Sequence, residues 1–270
     1  MPGGFGAFKS TLMTDSRVFP LSGVHNFRRF GAYSGVDGRS VSDRLYRSGQ
    51  FSRATDEDRA ALGDLNIKVV ADLRRPSERE AEPSFWPGVS GVTVIESDHA
   101  GPAEAPHLRF LREAELTFDS IRQFMTETYR RLPFDEGNQH VFREGVKALA
   151  EGDDDHGFVV HCAAGKDRTG IFCALVLWEL GVDHDTVIDD YLMTNRAVDF
   201  DKIASVMRER LSQKYGREFG DAELKAFLGV DGDYLDAALE VMGDPKAYLR
   251  EALGLEEAVL ARLRERLLTG

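Results

Sequence analysis

The stretch His161-Cys162-Ala163-Ala164-Gly165-Lys166-Asp167-Arg168-Thr169-Gly170 gathers the side chains of this chain best suited to chemistry. A cysteine is a nucleophile only as its thiolate, a minor species of a free thiol at neutral pH. Cys162 stands where the anion would be favoured, because the pattern around it reads as a strand, a tight loop and the start of a helix. The first backbone N–H groups of a helix lack intrahelical partners, and the helix dipole is positive there. A loop feeding such a helix can wrap its amides around an oxyanion. Ala163, Ala164 and Gly165 are small enough for close backbone approach, and Gly165 tolerates a left-handed conformation. Arg168, six positions after Cys162, supplies a permanently charged planar fork that matches two phosphoryl oxygens. Lys166 adds a second positive charge, and the Thr169 hydroxyl is placed to donate to the sulfur. The chemistry this set allows is in-line attack of sulfur on phosphorus.

Other loops fit less well. A nucleotide-binding loop needs Gly-x4-Gly-Lys-Ser/Thr, but Asp167 follows Lys166 and no glycine lies five positions before Gly165. A rhodanese-like sulfurtransferase also carries a loop cysteine, but needs no acidic residue beside the arginine. A phosphate-recognition module without turnover is the remaining alternative, and intact Cys162 and Arg168 count against it.

These residues need a scaffold. Residues 44–47, 67–73, 92–95 and 158–162 are short apolar or β-prone runs that predict strands. Helical periodicity marks residues 55–62, 117–132, 139–149 and 169–180, and continues through the rest of the chain. Strands alternating with helices, then helices alone, predict an α/β fold with a small mostly parallel central sheet flanked by helices. Residues 1–20, opening on Gly3, Gly4 and Gly6, read as a loosely ordered N-terminus. Residues 21–270 read as a single domain, with an insertion or helical lid about 99–116 and a helical C-terminal part about 183–270.

Composition narrows the partners. The 270 residues carry a net charge of −12, against nucleic acid as a ligand. An anionic substrate must therefore be drawn in by a local positive pocket. No apolar run is long enough for a transmembrane helix, and no leader pattern opens the chain. Cytoplasmic residence is expected, with export by a route that needs no such leader left open. Cys162 and Cys173 are the only cysteines, so neither a disulfide framework nor a zinc site is expected, and the chemistry calls for no metal or cofactor.

Residues 161–170 resemble the Cys-x5-Arg-Ser/Thr signature of the cysteine-based tyrosine phosphatases. With Gly165-Lys166-Asp167 inside the loop, the string is similar to an atypical bacterial and fungal branch, lipid-like and of triple specificity. Outer motifs agree: Asn26-Phe27-Arg28 with Gly31, Arg44 to Gln50, Asp72-Leu73-Arg74 with Glu78-Arg79, Tyr191 to Asn195, and Tyr248-Leu249. The resemblance implies a tyrosine-phosphatase-like fold and a phosphocysteine intermediate on Cys162. Its substrates would be phosphoproteins, phosphotyrosine first, or phosphoinositides, whose acceptance in this family goes with a lysine at the Lys166 position. It puts Asp167 first as general acid; Asp98, after the strand ending at Ile95, is second and Asp72 third. The Trp86-Pro87 pair is similar to the acid loop of larger tyrosine phosphatases, but Gly88 stands where that loop has aspartate. His161 is expected to order the back of the loop, Arg74 and Arg75 to reach a second phosphate, and Cys173 to be a core residue.

Overall fold

Alternation of side chains along the central strands divides the protein into two layers. In the sequence Phe158-Val159-Val160-His161-Cys162, Phe158, Val160 and Cys162 join one apolar cluster and Val159 joins another on the opposite face. The computed structural model describes residues 16–102, 106–198, 200–216 and 220–270. Its strands are β1 (Arg28–Arg29), β2 (Ser40–Val41), β3 (Leu45–Ser48), β4 (Ile67–Asp72), β5 (Thr93–Ile95), β6 (Gly157–His161) and β7 (Leu268–Thr269). Five form one sheet in the order β1-β3-β6-β4-β5. Within that sheet the β1–β3 pair is antiparallel and β3, β6, β4 and β5 run parallel, while β2 pairs antiparallel with β7 apart from it. The expected α/β class with a mostly parallel sheet is what the chain adopts.

The helices are α1 (Asp56–Gly63), α2 (Pro76–Ala81), α3 (Pro106–Glu113), α4 (Phe118–Arg131), α5 (Glu136–Glu151), α6 (Asp167–Glu179) and α7 (His184–Leu192). They continue with α8 (Thr194–Ala197), α9 (Phe200–Tyr215), α10 (Asp221–Leu228), α11 (Gly232–Met242), α12 (Pro245–Glu251) and α13 (Glu257–Leu267). Starts follow the sequence chemistry. Thr55 and Asp58 form a reciprocal capping box on α1, Asp183 caps α7, and Asp244 with Pro245 opens α12. α6 is apolar on nearly every side and is buried accordingly, from Ile171 through Leu177. It lies against the sheet with α5, and α4, α7, α11, α12 and α13 complete that layer. The opposite face is covered by Val24, Phe27, Phe51, Leu62 and Trp86.

Two expectations for the ends of the layers are refined. Residues 1–15 lie outside the described residues, but Val18 bridges Arg28 and Phe19 packs edge-on against Phe27, so 17–20 belong to the sheet margin rather than to a loose tail. Within 99–116, residues 103–105 lie outside the described residues and α3 follows them. α3 is anchored by Phe110 stacked on Phe124 at 4.2 Å and by Leu111, buried with Leu211 and Leu224. Among the described residues no helix is long and apolar enough to cross a membrane.

Candidate active site

The register aligns three strand ends. Ser48 of β3 and Asp72 of β4 both pair with His161 of β6, so the chain leaves β6 at the carboxyl edge of the sheet, where open α/β sheets hold ligands. Cys162 begins the loop there and α6 begins at Asp167. Gly165 has φ +69°, and a Cβ on it would lie 2.2 Å from the Ser48 carbonyl oxygen; no other residue fits.

The loop's carbonyls are tied to its surroundings. Gln50 N donates to Ala163 O at 3.1 Å, and Asn26 Nδ2 donates to Gly165 O at 2.9 Å and Ala164 O at 3.4 Å. Arg47 Nη2 donates to Gly165 O at 3.2 Å and Lys166 O at 3.4 Å. His161 Nδ1 lies 3.4 Å from Cys162 O. In a trans peptide the N–H points opposite to the preceding C=O. Carbonyls held on the scaffold side therefore leave the amides of residues 163–167 turned to the other side.

Arg168 is gripped on two edges. Its Nη1 and Nη2 donate to Glu78 Oε2 at 2.7 Å and Oε1 at 2.8 Å, and Nη1 also donates to Leu73 O at 2.8 Å. Glu78 accepts from Arg75 N at 2.8 Å as well, at the start of α2. Burial works against the Glu78 charge, but the hydrogen bonds and charge of Arg168, with the Arg75 amide and charge, together outweigh it and hold its pKa at about 2. Burial likewise opposes the Arg168 charge and Glu78 reverses the effect, raising its pKa.

Asp167 accepts from the Tyr129 hydroxyl at 2.7 Å through Oδ1, and its side chain stays 24 % exposed. Asp98 is elsewhere, fully exposed after β5, with Arg79 at 3.8 Å. Asp72 is enclosed. Burial opposes its charge, but His161 and the Arg74 fork, at 2.7–3.2 Å, hold its pKa below the usual carboxylate value. Arg74 is buried and also donates to Glu82 O at 2.6 Å, so it braces the strand end instead of reaching a second phosphate. Arg75 is spent on Asp135 at 3.4 Å. His161 sits edge-on to Phe51 at 5.0 Å, with Nε2 3.5 Å from Asp72; burial pushes its pKa down.

Two side-chain expectations are corrected. The Lys166 ammonium does not stand free as a second cradle charge: it donates to Phe227 O at 2.8 Å and Gly229 O at 3.1 Å, where the C-terminal carbonyls of α10 need donors. The Thr169 hydroxyl is buried without a hydrogen-bond partner among the described residues, so no bond to the sulfur forms. Cys173 is buried in the core with its thiol pushed up to about 12 by desolvation.

Sequence reasoning missed several contributors. Glu78 was visible only as part of an outer motif. Arg47 pairs with Asp190 at 2.8 Å in the interior, and Arg28 donates to Asp190 O at 3.0 Å and Thr194 Oγ1 at 3.2 Å. Asn26, at φ +61°, accepts from Arg28. The outer motifs at 26–28, 44–50 and 191–195 thus converge beneath the loop; the family resemblance that groups them was the available signal.

At the carboxyl edge of a mostly parallel sheet, the loop that starts at Cys162 runs into α6, with Arg168 in its first turn. The profile of the tyrosine phosphatase family matches residues 19–269, and the chain belongs to that family. It is similar to the triple specificity protein phosphatase PtpB of Mycobacterium tuberculosis, 33 % identical over 254 residues, covering 82 % of this chain and 89 % of that protein. A tyrosine-protein phosphatase of Nostoc commune is 26 % identical over 234 residues, covering 84 % and 74 %. The protein is a hydrolase of the protein-tyrosine-phosphatase type.

Proposed function

We propose that this protein hydrolyses phosphate monoesters through a phosphocysteine on Cys162, with phosphotyrosine as first substrate and phosphoserine, phosphothreonine and phosphoinositides as further ones. The observation that supports the reading is that the carbonyls of residues 163–166 accept from Gln50, Asn26 and Arg47, which leaves the loop's own amides free for an oxyanion, with Arg168 held by Glu78 at the start of α6. The triple specificity of the PtpB relative supports a breadth of substrates.

In the first step the Cys162 thiolate attacks phosphorus and the phosphorus–oxygen bond to the leaving group breaks. Asp167 gives its proton to the departing oxygen. Loop amides and the Arg168 fork hold the equatorial oxygens, whose charge is spread in the transition state. Water then attacks the phosphocysteine, Asp167 takes the proton, and phosphate leaves with the thiolate restored. Asp72, Arg74 and His161 brace the strand ends from behind. Residues 21–270 act as one catalytic domain. Both cysteines are free thiols, which suits a reducing compartment such as the cytoplasm.

Denaturing the enzyme during turnover of a phosphorus-labelled aryl phosphate, then mapping the label by mass spectrometry, tests the reading. Label is expected on Cys162 and absent from Cys162→Ser. Sustained turnover with label on no cysteine overturns it. Rates on phosphotyrosine, phosphothreonine and phosphoinositide substrates then rank the classes.

A further inference from the structure

Two buried tyrosines beside the loop take no part in the chemistry just described. Tyr129 on α4 and Tyr191 on α7 are both buried to within 1 % of full enclosure. The Tyr191 hydroxyl donates to the Tyr129 oxygen at 2.5 Å, and the Tyr129 hydroxyl donates to Asp167 Oδ1 at 2.7 Å. Each phenol has one proton, so a chain of two hydroxyls that ends on a carboxylate runs in one direction, with both protons pointing toward Asp167. Burial, followed by the charge of Asp167, keeps both phenols protonated far above their ordinary range.

The chain acts on one oxygen only. Lys166 Nζ also approaches Oδ1, at 3.4 Å, while Oδ2 has no hydrogen-bond partner among the described residues. Oδ1 is thereby fixed to the scaffold and Oδ2 is the oxygen available to carry a proton. A buried tyrosine needs some acceptor, and Tyr234 beside it, 5.6 Å ring to ring, uses the backbone carbonyl of Ala226 at 3.3 Å. Tyr129 instead reaches the one carboxylate that borders the cysteine loop on α6.

We propose that Tyr129, backed by Tyr191, is a positioning residue that clamps Asp167 through Oδ1 and presents Oδ2 to the leaving oxygen. The inference rests on the reading of Asp167 as general acid. Other charged or titratable groups around Asp167 are Lys166 and Arg168 from the loop and α6, Tyr234 from α11 and His107 from α3. None of these is altered when Tyr129 or Tyr191 becomes phenylalanine.

The test compares Tyr129→Phe, Tyr191→Phe, Asp167→Asn and the double variant Tyr129→Phe/Asp167→Asn on phenyl phosphate and on 4-nitrophenyl phosphate. Tyr129→Phe is expected to lower kcat on phenyl phosphate about tenfold, the scale of one hydrogen bond to a charged group, with KM unchanged. The nitrophenyl substrate, whose leaving group hardly needs a proton, should be affected much less. Tyr191→Phe should move kcat on the two substrates in the same pattern by less, and should decide the matter if Tyr129→Phe does not fold. Adding Tyr129→Phe to Asp167→Asn should change little further. Equal losses on both substrates would leave Tyr129 a packing residue and overturn the inference. If Asp167→Asn itself shows no leaving-group dependence, the reading of Asp167 fails as well; if it does and the tyrosine variants do not, only this inference falls.

Discussion

Arg168 and Glu78 meet fork to fork, with Nη1–Oε2 at 2.7 Å and Nη2–Oε1 at 2.8 Å, across 90 residues of sequence. The pair sets the plane of the guanidinium before any phosphate arrives, and only a planar fork can satisfy Glu78 and two phosphoryl oxygens in turn. Arg168→Lys should therefore lower kcat/KM by a factor of about 100 or more despite keeping its charge. Rates near wild type would show that the phosphate sits elsewhere.

Glu78 also fixes a pH dependence of stability. Its folded pKa of about 2 lies below the ordinary 4.5, so its contribution is fully present above pH 4.5 and disappears as pH falls toward 2. Acid titration of unfolding free energy should show a steeper loss across that window in the wild type than in Glu78→Gln. The variant should be less stable at neutral pH and lose about tenfold in turnover, because the guanidinium is no longer held. Parallel slopes for the two proteins would mean that Glu78 is not ionised through the pair.

Cys162→Ser should abolish turnover while leaving the fold and phosphate affinity intact, because a hydroxyl is nearly isosteric but far harder to ionise. Loss of a nucleophile removes several kcal/mol of barrier lowering, so residual activity above about a hundredth of wild type contradicts the covalent route. Circular dichroism and a phosphate-binding isotherm supply the controls.

Asp167→Asn should cut turnover by about 10²- to 10⁴-fold on poor leaving groups, the usual share of general acid catalysis, and by less on activated aryl phosphates. Asp98→Asn should have little effect on chemistry, since Asp98 stands fully in solvent beside Arg79. A reversed pattern in a leaving-group series would move the acid to the loop after β5.

Asp190 carries a stability prediction. Removing it as Asp190→Ala leaves Arg47 charged and unpaired in the interior, a change that costs roughly 3–5 kcal/mol in comparable buried pairs. Arg47 also holds Gly165 O and Lys166 O, so activity should fall at temperatures where the variant is still folded. A thermal midpoint close to wild type would show that the pair is not the keystone drawn here.

What was legible in the sequence was local. The strand 157–161, the loop and α6 are contiguous, and their pattern could be read from spacing alone. The layer order also followed, because apolar strand runs alternating with helices leave few topologies. What could not be read was where side chains travel. Lys166 crosses to carbonyls more than 60 residues away, Arg168 finds its carboxylate on α2, and Asp167 is met by a tyrosine from α4. Each destination is decided by a nearby unsatisfied acceptor, and acceptors on other elements leave no periodic trace. Asn26, Arg28 and Arg47 were recognised as motifs, yet their common purpose, holding the outside of the loop, emerges only once β1 and β3 lie beside β6.

The place of β6 in the sheet bears on how the enzyme comes into being. The strand that delivers Cys162 is flanked by β3 and β4, which precede it by long stretches of chain, and both neighbours pair with it along their length. Loop closure of that span must be achieved before the pairings return any stabilisation. The cradle therefore cannot form in a nascent or partly melted chain that keeps helices but lacks the central strand. Thiol reactivity at Cys162 and recovery of activity on refolding report completion of the whole sheet, not of the loop alone.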